Sequence, residues 1–217
     1  MKKFVTGFLA LAAAAVMLSG CSGRGMTGAS DPGENSLCIG EGGSISWVSV
    51  ETYEKGDYTV DELKASAGRK ISDFNQSLGK AASYENAEDS EKLPVALVSA
   101  KLENGKAVLI TEYDTPGRLI EFSQEIGDYN VPFTSLDTGR AAAMAGELKG
   151  ISFKDQKGQD VNQETVLKDG QNLVVKAAGQ GVVSTQKKIL YLSSNCTLKD
   201  GQTVQTPEEG TGYIILK

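Results

Sequence analysis

"LPVALVSAKLENGKAVLITEY", residues 93–113, decides the fold class. Two runs rich in Val, Leu, Ile and Thr flank Asn104-Gly105, the pair that best tolerates the positive φ angles of a type I′ turn. The stretch is therefore expected to be a β-hairpin. Immediately upstream, "TVDEL" opens the clearest helix. Thr59 and Glu62 have capping-box spacing, so hydroxyl and carboxylate satisfy exposed backbone N–H groups reciprocally. Leu63, Ala67, Ile71, Phe74 and Leu78 then recur at helical spacing, and Gly79 is the stop. Residues 80–92 are polar and acidic and read as an exposed loop.

Further upstream, "SLCIG", the turn "EGG" and the alternating "SISWVSVETY" suggest another hairpin. It places Ile45, Trp47 and Ser49 on one face and Ser46, Val48 and Val50 on the other. Downstream, Thr115 and Pro116 suit the start of a second helix, with Leu119, Ile120, Phe122 and Ile126 on its buried side and Gly127 at its end. "VPFTSL" reads as extended, and "TGRAAAMAGEL" as a short helix starting near Thr138. Beyond residue 150 the chain reads as all β. "KDGQ" occurs twice, at Lys168–Gln171 and Lys199–Gln202, and two turns explain it better than a repeat. Helices among hairpins, without βαβ alternation, predict an α+β domain over 36–217: an antiparallel sheet built from hairpins, with two or three helices.

The amino-terminal end is of another kind. Lys2 and Lys3 precede an apolar run from Phe4 to Met17, and Leu18-Ser19-Gly20-Cys21 matches the bacterial lipobox. Residues 1–20 thus have the three-part build of a lipoprotein signal peptide. On this reading Cys21 becomes the first mature residue and carries acyl chains, palmitate among them. Each buried CH₂ would contribute about 0.8 kcal/mol to anchoring. The plainer alternative is an ordinary signal peptide with a chance cysteine. Residues 21–35, small, polar and Gly-rich, read as a flexible tether. The expected location is the extracytoplasmic face of the cell membrane, lipid-anchored.

Losing residues 1–20, which hold two lysines and no acids, takes the net charge from −6 to −8. That acidity argues against nucleic acid as a partner. The partners expected are the membrane, through the lipid anchor, and an envelope protein or polymer. Export permits a disulfide between Cys38 and Cys196; the alternative is two separate buried thiols.

The chain contains no histidine. This removes the commonest general base, the usual nucleophilic triads and most zinc sites. No cofactor, metal or catalytic residue is expected. Asp57, Asp61 and Glu62 fit the positive end of a helix dipole. Glu85, Glu88, Asp89 and Glu91 read as solvated charge, and Asp155–Asp160 as a turn. "GEGGS" and "GQGVVS" lack phosphate-loop spacing. Ser66 and Lys70 sit one helical turn apart, a known nucleophile pairing, although exposed solubility explains them more simply. Trp47, Tyr53 and Tyr58, if exposed together, would stack on a sugar or grip a peptide; half-buried packing is the commoner use of such residues. Asn75 and Asn195 match the glycosylation pattern, which a bacterial lipobox discounts.

The acidic-aromatic segment "VETYEKGDYTVDELKASAGRKISDFN", the hairpin "VSAKLENGKAVLITEYDT", the strand "KKILYLSS" and the terminal "GTGYIILK" together carry a resemblance. The chain resembles uncharacterised lipoproteins of Gram-positive, clostridia-like bacteria over most of residues 45–217. That resemblance implies a membrane-anchored surface protein and carries over no site residues. The expected function is non-catalytic binding or envelope interaction. The alternative is a histidine-free hydrolase of cell-envelope polymers. A transporter's solute-binding lipoprotein would be larger and two-lobed.

Overall fold

The computed structural model describes residues 33–54, 56, 58–88 and 90–217. The signal segment, Cys21, the tether up to residue 32, Asp57 and Asp89 lie outside the described residues. In chain order the elements are β1 (Ser36–Ile39), β2 (Ile45–Thr52), α1 (Val60–Ser77), β3 (Val95–Glu103), β4 (Lys106–Tyr113) and α2 (Pro116–Ile126). Then come β5 (Ser135–Arg140), α3 (Ala145–Leu148), β6 (Phe153–Asp155), β7 (Asp160–Val161), α4 (Gln163–Leu167) and β8 (Leu173–Ala178). The chain closes with β9 (Val182–Thr185), β10 (Ile189–Ser193), β11 (Thr197–Asp200), β12 (Thr203–Gln205) and β13 (Thr211–Leu216).

The architecture mixes helices with antiparallel strands, as expected, but builds two sheets instead of one. The first runs β11-β12-β9-β1-β2-β4-β3 and the second β5-β8-β13-β10-β6-β7. The β1–β9 contact is parallel; the other pairings are antiparallel. The last third of the chain is thereby divided, with β9, β11 and β12 extending the first sheet and β8, β10 and β13 forming the heart of the second.

Burial explains the second sheet. Val174 and Val175, adjacent in β8, are both fully buried, so both faces of that strand are covered. On one face Val175, Ala177, Ile214, Leu216 and Leu192 join a main core shared with Leu37, Ile39 and Trp47 of the first sheet. On the other, Val174, Tyr213, Ile215 and Phe153 pack with Ala141, Met144, Leu148 and Val166. Unbroken apolar runs such as "LVV" and "YIIL" are the sequence form of a strand buried on both sides.

The opening hairpin forms as read. Asn104 and Gly105 have φ of 51° and 75°, and Glu103 pairs with Lys106. The capping box of α1 is complete, with Glu62 N donating to Thr59 Oγ1 at 3.2 Å and Thr59 N to Glu62 Oε2 at 2.8 Å. Those hydrogen bonds hold the exposed Glu62 carboxyl below its ordinary range. Leu78, expected on the apolar face, is instead the C-cap and 41% exposed. In α2, Pro116 opens the helix and Gly127 closes it at φ 66°.

Three expectations need correction. Ser135 and Leu136 are extended as read, but Thr138–Arg140, expected to open a helix, continue strand β5 against β8, and only Ala145–Leu148 is helical. Pairing of Thr138–Arg140 with β8, continued by Ala141 N and Ala142 N donating to Asn172 O and Gly170 O, overrides the local helical propensity of the alanines. The region beyond 150 is not all β. Asn162 caps the short α4, accepting from Thr165 N at 2.8 Å, and α4 docks Val166 into the second core. The helices therefore number four among the described residues, not two or three. Both copies of "KDGQ" are turns with one mechanism. Asp169 and Asp200 each accept, through Oδ1, from the backbone N–H two residues on, at 3.1 and 2.8 Å. At the end of the expected tether, Glu34 pairs with Lys199 and Asn35 accepts from Val50 N at 2.7 Å, so these residues already belong to the folded body.

Candidate functional site: a cleft between two helices and the first sheet

The hairpin β3–β4 and its neighbour β2 present one face to α1 and α2. Alternation puts Trp47, Ser49 and Glu51 of β2 on that face, opposite Thr111, Leu109 and Ala107 of β4. The deep part is closed, since Ile71 and Phe74 of α1 and Phe122 of α2 are buried and the two Phe rings meet edge-on at 5.1 Å. Toward the amino end of α1 the layers separate. Leu63 and Ala67, on the apolar face of α1, are only half-buried. They border a cleft of about 500 Å³. The strand residues are its floor. One wall is α1, with Leu63, Ser66, Ala67 and Lys70; the other is the end of α2 and the loop Gly127–Asn130.

The floor is mixed, with Ala107 and Leu109 among the polar side chains of Ser49, Glu51, Thr111 and Tyr113 and the Trp47 indole. Thr111 Oγ1 and Tyr113 OH lie 2.8 Å apart and bond to each other. Burial pushes the Tyr113 phenol far above its ordinary value; the Thr111 contact opposes this and the Asp128 charge reinforces it. Trp47, 3% exposed, meets Phe133 edge to face at 6.1 Å. Its Nε1 has no hydrogen-bond acceptor among the described residues. Buried polar groups are nearly always satisfied, and an orphaned indole N–H calls for an explanation. At the mouth, Asn130 Nδ2 donates to Glu51 Oε1 at 3.0 Å, tying the α2–β5 loop to the end of β2. Asn130 N donates to Asp128 Oδ1 at 2.9 Å. The Tyr129 ring is 96% exposed.

The structure sorts the candidates named from sequence. Trp47, Tyr53 and Tyr58 are not exposed together: Trp47 is on the floor, and Tyr53 and Tyr58 are half-buried with rings 5.4 Å apart. Trp47 and Tyr58 nevertheless share the cleft. Ser66 and Lys70 also reach it, both exposed and without a hydrogen bond between them, which is not the desolvated pairing that nucleophilic chemistry needs. Asn75, a formal glycosylation match, is fully buried and bonded to backbone. Asp155 closes a turn, accepting from Lys157 N and Gln159 N. Glu91 pairs with Lys80. No group of three or more His, Cys, Asp or Glu among the described residues is placed to hold a metal.

Cys38 and Cys196 are buried free thiols in this structure and lie on different sides of the first sheet. Alternation along β1 explains why. Leu37 and Ile39 point into the main core, Cys38 points to the other side of the sheet, and Cys196 belongs to that core. Burial raises both thiols, Cys38 up to about 11, against the weak opposing contact of Ser36. What the sequence reading missed is the loop Asp128–Asn130 and the floor residue Thr111. The helix stop at Gly127 marked where that loop begins but not what it faces.

Among the described residues no helix is long and apolar enough to cross a membrane. No protein-family model, curated protein or solved structure matches the chain.

Proposed function

We propose that the protein is a membrane-anchored bacterial lipoprotein whose domain binds a ligand in the cleft without transforming it. The lipobox at Cys21 supports the anchor. The observation that carries the binding role is the cleft itself, about 500 Å³, in which Leu63, Ala67, Leu109 and Ile126 stand beside the polar groups of Ser49, Thr111 and Asn130. The resemblance to clostridia-like surface lipoproteins agrees with an envelope ligand.

The hydrolase alternative draws on two carboxylates at the same cleft, Glu51 and Asp128. Both accept hydrogen bonds from Asn130, an arrangement that fixes the loop against β2.

Trp47 is the sole tryptophan, so its emission reports the cleft directly. Solubilised envelope fragments are expected to shift that emission saturably, without being consumed. Ala67→Phe, which fills the cleft without adding a second tryptophan, is expected to abolish the response of Trp47. Turnover of the fragments would replace binding by hydrolysis. Cys21→Ser is expected to move the protein from the membrane to the soluble fraction, and a variant still fractionating with membranes refutes the anchor.

A further inference from the structure

Asn104 stands apart from the other asparagines. Asn35, Asn75, Asn86, Asn130, Asn162 and Asn195 each commit the side chain to a hydrogen bond, and Asn172 is buried. The Asn104 side chain is exposed at the tip of the β3–β4 hairpin and has no partner among the described residues. It is also the asparagine that a glycine follows. With no Cβ, Gly105 lets other atoms come close to its backbone nitrogen. A Cβ built there would meet nothing nearer than Tyr53 O at 3.9 Å, so the space around it is open. Gly105 N makes no hydrogen bond among the described residues, while Gly105 O accepts from Tyr53 N at 3.0 Å.

A free amide nitrogen thus follows an untethered side-chain carbonyl. We infer that Asn104 is a site of spontaneous deamidation, and that the isoaspartate formed there unfastens the hairpin tip from Tyr53. Hydroxide removes the proton of Gly105 N, which bonds to Asn104 Cγ and closes a five-membered ring. The Cγ–Nδ2 bond breaks, and ammonia leaves with a proton from solvent. Water then opens the succinimide, its hydroxyl going to a ring carbonyl carbon and its hydrogen to Gly105 N. Opening at Cγ gives aspartate. Opening at the main-chain carbonyl carbon of residue 104 gives isoaspartate, with the main chain rerouted through Cβ and Cγ. Water is the co-reactant, and nothing is oxidised or reduced.

The isoaspartate main chain is one carbon longer where Asn104 and Gly105 hold φ of 51° and 75° between the paired Glu103 and Lys106. The extra carbon breaks the two-residue geometry of a type I′ turn and carries Gly105 O away from Tyr53 N. The Tyr53 ring lies 5.4 Å from that of Tyr58, which lines the cleft, so the disturbance reaches the cleft's rim.

The test incubates the full chain in mild detergent at 37 °C and pH 8, in water enriched in heavy oxygen, and reads its digest by mass spectrometry. Conversion of amide to acid, with one solvent oxygen gained, is expected at residue 104 at least about tenfold faster than at any other asparagine, because the missing Cβ lowers the barrier to ring closure. The rate is expected to fall at pH 6, since hydroxide generates the nucleophile. Labelling by an isoaspartyl methyltransferase separates isoaspartate from aspartate. The isoaspartate fraction is expected to melt about 2–4 °C below fresh protein, through the lost Tyr53 hydrogen bond. Asn104→Asp, which keeps the main-chain length, is expected to melt above that fraction. Conversion at residue 104 no faster than at the other asparagines overturns the site. Isoaspartate with an unchanged Tm, or a Tm matched by Asn104→Asp, overturns the coupling to Tyr53.

Discussion

Replacing Asn75 with alanine should cost about 3 kcal/mol of stability, although the side chain touches neither cleft nor solvent. Asn75 is fully buried near the end of α1. Its Nδ2 donates to Val95 O at 2.8 Å and Ser83 O at 2.9 Å, and its Oδ1 accepts from Val95 N at 3.0 Å. One amide thus ties the helix to the following loop and to the first residue of β3. Each bond contributes about 1 kcal/mol net, and alanine leaves the N–H and C=O of the fully buried Val95 without their partner. For a domain of this size that loss lowers Tm by about 6–12 °C. The assay is urea denaturation of wild type and Asn75→Ala followed by far-UV circular dichroism, with the midpoint falling and the slope unchanged. A loss below about 1 kcal/mol refutes the reasoning, because it would mean the amide's three bonds are replaced by solvent. Since α1 is a wall of the cleft, the same variant is expected to weaken ligand response only where it is partly unfolded.

Gly179→Ala is expected to destabilise by about 3 kcal/mol. The backbone sits at φ +104°, and the new Cβ would lie 2.2 Å from Pro132 O, a backbone atom that cannot swing aside. Gly201→Ala, with nothing within 4 Å, should stay within about 0.5 kcal/mol, so equal melting temperatures for the two variants would sink the steric argument. The Cys38 thiol holds its proton more tightly in the folded chain than in the unfolded one, with a pKa raised from 9.0 to about 11. Its contribution is therefore whole below pH 9 and is lost between pH 9 and about 11, at about 1.4 kcal/mol per pH unit. Urea midpoints at pH 8 and 10.5 should fall less in Cys38→Ala than in wild type. Rapid reaction of the native thiol with Ellman's reagent at pH 8 would contradict the burial on which this rests.

Local chemistry made several elements legible. Asn104-Gly105 dictated a turn whatever lay around it, because few pairs tolerate two consecutive positive φ angles. Thr59 and Glu62 dictated a helix start by bonding to each other's backbone, and Gly127 dictated an end. The "TGRAAAMAGEL" segment misled, because alanine propensity is worth tenths of a kcal/mol per residue while pairing of Thr138–Arg140 with β8 and burial of Ala141 are worth more. The site was legible only in fragments. Trp47, Tyr58, Ser66 and Lys70 drew notice as residue types, but Thr111 and the loop Asp128–Asn130 carry no local mark.

The sequence by itself determined the hairpins, the capped helix, the absence of histidine chemistry and the acidic balance, since each depends on neighbours a few residues apart or on composition alone. Only the tertiary structure decided that β1 and β9 would join distant segments in parallel, that Cys38 and Cys196 would face different sides of a sheet, and that α1 would part from the floor beside Trp47. These are long-range outcomes: they depend on which apolar faces find one another in space, and that pairing is settled by the burial of the whole core and not by any window of the chain.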